Sequence, residues 1–318
     1  MGEATTEQHI PVLLDEVLSH LLIDESGTYV DATFGRGGHT CALLARLGAG
    51  GRVVALDRDP EAVAAGTGLA DRDDRLTVHR AEFSRLGEIL SGLGVDDVAG
   101  VLMDLGVSSP QLDVPERGFS FRDDGPLDMR MNPQSGMSAA QWLDSAAQED
   151  IVRVLRDYGE ERFAKRIARA IVAARPLRTT GELADVVAGA IPQRGLQKKH
   201  PATRSFQAIR IYINNEFGEL AAGLEAAFAA LRPGGRLAVI SFHSLEDRIV
   251  KHWFRDHSRP PPMPRRVPVR HEQIATPAKL VSGAVRPANQ ELMKNPRARS
   301  ATLRVLEKLQ PSGSAAHA

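Results

Sequence analysis

The sequence contains a single cysteine, Cys41. One thiol cannot close a disulfide within the chain, which excludes the disulfide-stapled classes and fits a reducing cytoplasm. No apolar run is long enough to span a bilayer, and Met1–Gln8 is polar where a secretory leader would be apolar. A membrane partner is therefore not expected. The histidines, at positions 9, 20, 39, 79, 200, 243, 252, 257, 271 and 317, show no Cys/His ligand spacing, so no metal is expected either. No internal repeat is found. Net charge is also missing, because 40 Lys+Arg face 40 Asp+Glu.

That zero hides an asymmetry. Residues 1–112 carry 8 Lys/Arg against 18 Asp/Glu, whereas residues 251–309 carry 13 against 4. Local fields of this kind, rather than net charge, hold phosphate-rich partners. A merely solvated basic surface fits the same counts. Apolar content is ordinary for a globular protein, at 42%. A chain of 318 residues is large for one compact unit, so a core with an insertion or second domain is expected.

The first part alternates strand-like and helix-like segments. Thr28–Ala32, Arg52–Asp57, Leu76–His79 and Gly100–Asp104 read as strands. Thr40–Leu47, a segment from Pro60 to Leu69, and Phe83–Leu93 read as helices. This alternation predicts an α/β fold, a parallel sheet with helices on both faces. Val107–Pro133 breaks the pattern with Gly, Pro, Asp and Arg, and reads as a long ordered loop. Helical periodicity then runs through Ala139–Ala146, Glu149–Tyr158, Glu161–Ala174, Thr180–Ile191 and Thr203–Ile213. The α/β pattern resumes with a helix at Glu216–Leu231, a strand at Arg236–Phe242, a helix at Leu245–Asp256 and a strand at Thr302–Leu306. The expected organisation is a core over 1–112, an inserted loop and helical substrate-recognition domain over 113–213, the rest of the core over 214–310, and a disordered tail over 311–318.

Gly35-Arg36-Gly37-Gly38-His39-Thr40 lies between a strand and a helix. Glycines there let the backbone turn sharply and approach a ligand closely. An ordinary tight βα turn uses the same residues. A dinucleotide fingerprint wants a third glycine where this chain has Thr40. Asp57 ends the next strand, at the spacing of an acid that takes ribose hydroxyls. Asp31 ends the first strand, placed for a cationic methionyl ammonium. An acidic first half suits a sulfonium cofactor, S-adenosylmethionine, better than a phosphorylated one.

Asp104-Leu105-Gly106-Val107-Ser108-Ser109-Pro110-Gln111 follows the fourth strand. Enzymes that methylate exocyclic amines place hydrogen-bond acceptors on such a turn, because the amine lone pair is delocalised into the ring. Asp104, Ser108 and Ser109 are the candidate catalytic acceptors. A capped strand-end turn fits the same residues. Cys41 is expected to be a small buried helix residue away from any strand end. Covalent catalysis by a cysteine is therefore disfavoured, and in-line transfer to nitrogen or oxygen favoured. Phe242 and His243 sit at a strand end, where they can stack on a flipped base or simply pack.

These stretches, with His9–Glu16, Leu56–Asp59, Arg117–Phe121, Leu127–Met131, Thr203–Arg210, Ser241–Arg248 and Asn295–Ser300, resemble the RsmH (MraW) family of ribosomal RNA small-subunit methyltransferases over nearly the whole chain. The resemblance implies a Rossmann-like class I methyltransferase core with an inserted all-helical domain. It implies N4-methylation of a decoding-centre cytidine in 16S rRNA, within the small ribosomal subunit. It implies that Gly37, Gly38, His39, Asp57, Phe83, Asp104 and Gln111 line the S-adenosylmethionine site. A homodimer is left open. Arg117, Arg122, Arg130, Lys198, Lys199, Arg204 and Arg210 in the insertion are candidate phosphate contacts. So are Arg259, Arg265, Arg266, Arg270, Lys294, Arg297 and Arg299 in the tail. Two other classes compete: an NAD-type oxidoreductase, disfavoured by Thr40, and a non-catalytic RNA-binding assembly factor.

Overall fold

A computed structural model describes residues 11–192, 200–260 and 276–310. The expected tail over 311–318 lies outside them. The chain divides into two units, Met1–Gly106 with Glu219–Ala318, and Val107–Gly218. In chain order the elements are α1 (Leu14–Leu21), β1 (Thr28–Asp31), α2 (Gly38–Leu44), β2 (Arg52–Asp57), α3 (Pro60–Ala70), β3 (Leu76–Arg80), α4 (Leu86–Gly92) and β4 (Val98–Asp104). The second unit holds α5 (Ser109–Asp113), α6 (Ala139–Ser145), α7 (Gln148–Gly159), α8 (Ala164–Ala173), α9 (Thr180–Ala190) and α10 (Thr203–Ile213). Then follow α11 (Glu216–Ala230), β5 (Leu231–Ser241), α12 (Ser244–Ser258), β6 (Ala278–Leu280), α13 (Asn289–Lys294) and β7 (Thr302–Lys308).

The sheet of the first unit runs β3-β2-β1-β4-β5-β7-β6. The first five strands are parallel, and β7 is antiparallel to both β5 and β6. The fold is thus mixed α/β on a seven-stranded sheet. β4 is buried from Val98 to Met103, the continuous apolar run of a strand covered on both faces. Side chains alternate between two apolar clusters. Tyr29, Val53, Ala55 and Leu102 enter one, while Val30, Val54, Leu56 and Met103 enter the other. Strand order reverses between β1 and β4, so a crevice opens at their carboxyl ends.

Local chemistry sets the helix ends. Asp59 caps α3 by accepting from Glu61 N at 3.0 Å, with Pro60 in the first turn. β5 starts earlier than its sequence suggests. Pairing jumps from Val98↔Leu231 to Gly100↔Arg236, so Pro233–Gly235 bulge out of a strand already begun.

The second unit packs its helices over a core that includes Leu127, Met129, Trp142, Ile151, Ile167, Leu183 and Phe206. The loop before α6 is ordered by Asn214. Its amide donates to Met129 O at 2.7 Å and its Oδ1 accepts from Met131 N at 2.8 Å. The unit boundaries fall after Gly106 and Gly218, not after 112 and 213. The shift has a local cause at each end. Gly106, at φ 95, is the last core residue before α5. Glu216 is bound in two places by Arg210, at 2.7 and 2.8 Å, which ties the start of α11 to α10.

Candidate functional site

Three of the parallel strands end in aspartate: Asp31 on β1, Asp57 on β2 and Asp104 on β4. Each shares parity with Tyr29, Ala55 or Leu102. Period-two alternation therefore turns all three to the same face of the sheet, beside the switch point. No cationic side chain ends these strands, so the crevice is acidic.

Asp31 is buried. Its Oδ2 accepts from Thr40 Oγ1 at 2.7 Å and its Oδ1 from Thr33 N at 3.2 Å. Loss of solvent raises its pKa. Thr40, the residue that breaks a dinucleotide fingerprint, is thus the buried donor that satisfies Asp31. Thr33 Oγ1 in turn accepts from Asp104 N at 2.7 Å, which links the glycine loop to β4.

Asp57 accepts from Gly35 N and Asp59 N, both at 2.8 Å. Burial is the largest influence on it, and its pKa rises from 3.8 to about 6. The two N–H donors oppose that rise, and the charges of Asp59 and Asp31 add to it. Gly35 and Gly37 sit at φ 56 and 76, where a side chain is strained. A Cβ on Gly37 would lie 2.7 Å from the Phe34 ring, and one on Gly38 would strike Pro11. The loop therefore keeps its backbone bare.

Asp104 carries an oxygen, Oδ1, that is buried without a hydrogen-bond partner. The carboxyl as a whole keeps 25% of its surface open. Burial, then repulsion from Asp31 and Glu246, push its pKa well above the carboxylate range. A buried polar atom without a partner is uncommon and marks a place for an incoming donor.

His39 connects to Asp104 through its ring. Its Nε2 lies 3.0 Å from Val12 O. A carbonyl only accepts, so Nε2 carries the proton and donates. Nδ1 then faces Asp104 Oδ2 at 3.7 Å. The Val12 carbonyl is aimed by its neighbour. Leu13 is left-handed, at φ 55, and its N–H donates to Glu291 Oε1 at 2.8 Å. Few leucines adopt this conformation, and it persists only where surroundings hold it. Val12 and Glu291 were not singled out by sequence, although the family resemblance covered His9–Glu16.

Phe83 opens a 3-10 turn before α4. A Cβ on Gly223 of α11 would strike its ring and lie 2.8 Å from Met103 Cε. Glycine there lets the half-buried ring approach the helix backbone closely. His243 caps α12, with Nε2 3.1 Å from Glu246 Oε1, while Glu246 Oε2 accepts from Phe242 N at 2.9 Å. This imidazole is engaged by its own helix, which argues for the packing alternative over base stacking.

The remaining marked residues fall elsewhere. Ser108, Ser109 and Gln111 belong to the second unit, where Ser108 and Gln111 form a capping box on α5 and Ser108 N donates to Gln111 Oε1 at 3.0 Å. The Ser108 O–H remains a donor. Cys41 was expected to be buried, but it is exposed on α2, because the inward face there is taken by Thr40, Leu43 and Leu44. Burial of its sulfur, then Asp31, raise its pKa, away from a reactive thiolate. Three expected phosphate contacts serve the fold instead. Arg117 is buried and donates to Met131 O at 2.9 Å, Arg130 is bidentate on Asp128, and Arg210 is bidentate on Glu216. Arg122, Arg204, Arg259, Lys294, Arg297 and Arg299 are exposed. Lys198, Lys199, Arg265, Arg266 and Arg270 lie outside the described residues. Among the described residues no group of His, Cys, Asp and Glu could hold a metal, and no helix is long and apolar enough to cross a membrane.

Residues 6–309 match the model of the MraW methylase family. A protein of Xanthomonas axonopodis pv. citri described as ribosomal RNA small subunit methyltransferase H is 57% identical over 304 residues, 95% of this chain and 87% of its own. One of the same description from Thiobacillus denitrificans is 56% identical over 310 residues, 96% of this chain and 99% of its own. Among solved structures, an rRNA methylase from Streptococcus thermophilus is 13% identical over 93% of this chain and 94% of its own, with a TM-score of 0.41, too loose a likeness to add to these matches.

Proposed function

The chain belongs to the MraW methylase family, and on that premise we propose that it transfers a methyl group from S-adenosylmethionine to the N4 amine of a cytidine in 16S rRNA. The acceptor is the decoding-centre cytidine, within the small subunit, and the protein works in the cytoplasm. The observation that carries the reading is Asp104 Oδ1, a buried acceptor with no partner at the end of β4.

The crevice fits the donor. Three strand-end carboxyls on β1, β2 and β4 suit a ligand with a sulfonium and an ammonium better than a pyrophosphate. Gly37 and Gly38 let the loop backbone pack directly against Phe34 and Pro11, where a Cβ would collide. Asp57 would take the ribose hydroxyls, Phe83 would stack on adenine, and the charge of Asp31 would favour the ammonium. His39 lines the same loop. When bound, S-adenosylmethionine supplies a methyl group attached to a positively charged sulfur.

The amine is a weak nucleophile. Asp104 orients it by accepting one N–H on Oδ1, which turns the lone pair toward the methyl carbon. The N4–carbon bond forms as the carbon–sulfur bond breaks, and its electron pair stays on sulfur. The nitrogen then sheds a proton. A carboxyl whose pKa lies above the usual range is suited to receive it.

Mass-spectrometric mapping of small-subunit rRNA from cells with and without the protein tests the reaction. One N4-methylated cytidine should vanish with the gene, and an unchanged map would sink the assignment. Asp104→Asn should lower kcat about 10²-fold or more. A loss confined to S-adenosylmethionine affinity would restrict Asp104 to holding the donor.

A further inference from the structure

Outside the crevice, a basic groove lies between α7 and α8, wholly within the second unit. Its volume is about 670 Å³, and Arg153, Arg156, Lys165, Arg166 and Arg169 line it with Val152. Gln148, Glu149 and Asp150 also line it. Both helices bury an apolar face, Ile151, Val154 and Leu155 on α7 and Ala164, Ile167, Ala168 and Ile171 on α8. The cations are what the opposite faces present to solvent.

Two of the five have carboxylate partners. Arg153 pairs with Asp150 and Arg156 with Asp157, each at 2.9 Å on the exposed surface. Such pairs are weak and exchange readily. Lys165, Arg166 and Arg169 have no carboxylate partner among the described residues. Helix stability does not explain them. Lys165 and Arg166 stand in the first turn of α8, which has no acidic residue, and cations there oppose the helix dipole. Their arrangement makes sense if the groove receives negative charge from outside.

We propose that this groove binds a single-stranded run of sugar–phosphate backbone of the substrate rRNA. The inference rests on the rRNA reading above and adds the surface that holds the strand. Size argues against one small anion, because 670 Å³ lies within the range that encloses drug-sized ligands. The lining argues for a backbone: aliphatic stems and Val152 meet sugars, and the charged heads meet phosphates. Sequence reading passed over these residues because their charges look like an ordinary solvated helix face. Only the pairing pattern separates α8 from α7.

The test is equilibrium binding of a labelled small-subunit rRNA fragment across a salt series, with kcat and KM for methyl transfer. A Lys165→Gln, Arg166→Gln, Arg169→Gln triple variant should flatten the log–log salt slope by about 2, at about 0.7 per single-strand contact. Its KM for RNA should rise about tenfold or more, while kcat, S-adenosylmethionine affinity and Tm stay unchanged. The exposed positions make misfolding improbable, and a Lys165→Arg, Arg166→Lys, Arg169→Lys variant should restore binding. An unchanged slope and KM would overturn the proposal. So would a fall in kcat at constant KM, or unaltered RNA binding with lost binding of polyglutamate, which would give the groove to an acidic protein. If wild-type protein bound RNA through these residues yet methylated none, the reaction assignment would fail and the groove would stand.

Discussion

A carboxyl group removed from water resists ionisation, and Asp57 shows two consequences of opposite sign. Its folded pKa is raised from 3.8 to about 6. Between those values the folded chain binds more protons than the unfolded one, so this group adds stability as pH falls from 7 toward 4. Donor binding has the reverse dependence, because ionised Asp57 attracts the cationic ligand and accepts from its hydroxyls. S-adenosylmethionine affinity should be flat above pH 7 and decline below about 6. Titration calorimetry from pH 5 to 8 checks this, and Asp57→Asn should remove the inflection while weakening binding throughout. An inflection that survives in Asp57→Asn belongs to another group. Much of this site was legible in the sequence, since Asp31, Asp57 and Asp104 each follow a strand-like run. Glu291 was not: it bonds Leu13 N across 278 residues of sequence, and such a contact leaves no periodic trace. Thr40 was read only as a missing glycine, whereas its hydroxyl is the partner of Asp31.

At the scale of elements, α11 and α13 each hold a site residue that sits on another segment. Gly223→Ala improves helix propensity by up to about 1 kcal/mol, yet its methyl would collide with the Phe83 ring. Tm should therefore change little while S-adenosylmethionine affinity drops about tenfold, equivalent to about 1.4 kcal/mol. Undiminished affinity would show that Phe83 does not contact the donor. Glu291→Ala leaves the Leu13 N–H without its acceptor, at a cost of about 1–3 kcal/mol. The Val12 carbonyl then loses its fixed aim at His39. Activity should fall, and Glu291→Gln, which keeps an acceptor oxygen, should recover it. Equal damage from both would mean that charge rather than the hydrogen bond matters. Elements with strong local signals were readable. β2 and α10 occupy Arg52–Asp57 and Thr203–Ile213 as their patterns indicate. Phe83–Leu93 divides into a 3-10 turn over Phe83–Arg85 and α4. α1 and α13 have no side-chain N-cap to announce them, and β6 has only three residues.

For the whole molecule, the division into a sheet-based unit and a helical one was visible as a change of period from about 2 to 3.6. The exact junctions were not, because Gly106 and the Arg210–Glu216 pair act through backbone freedom and a side-chain contact rather than through pattern. Charge distribution was visible from the start: residues 1–112 hold 18 acids against 8 bases, and 251–309 hold 13 bases against 4 acids. The acidic part supplies Asp31, Asp57 and Asp104. A small donor bound at these recessed carboxyls would be screened little by salt. On the groove proposed above, RNA would meet exposed cations, and each phosphate contact would release counterions. The two ligands should thus separate on a salt axis. With the three α8 cations each meeting a phosphate, a rise from 50 to 200 mM salt should weaken rRNA binding roughly twentyfold. Over the same range S-adenosylmethionine affinity should change less than about twofold. Parallel titrations of both ligands measure this directly. Equal salt sensitivity would mean that the donor site is open to solvent, or that the basic residues do not meet phosphate.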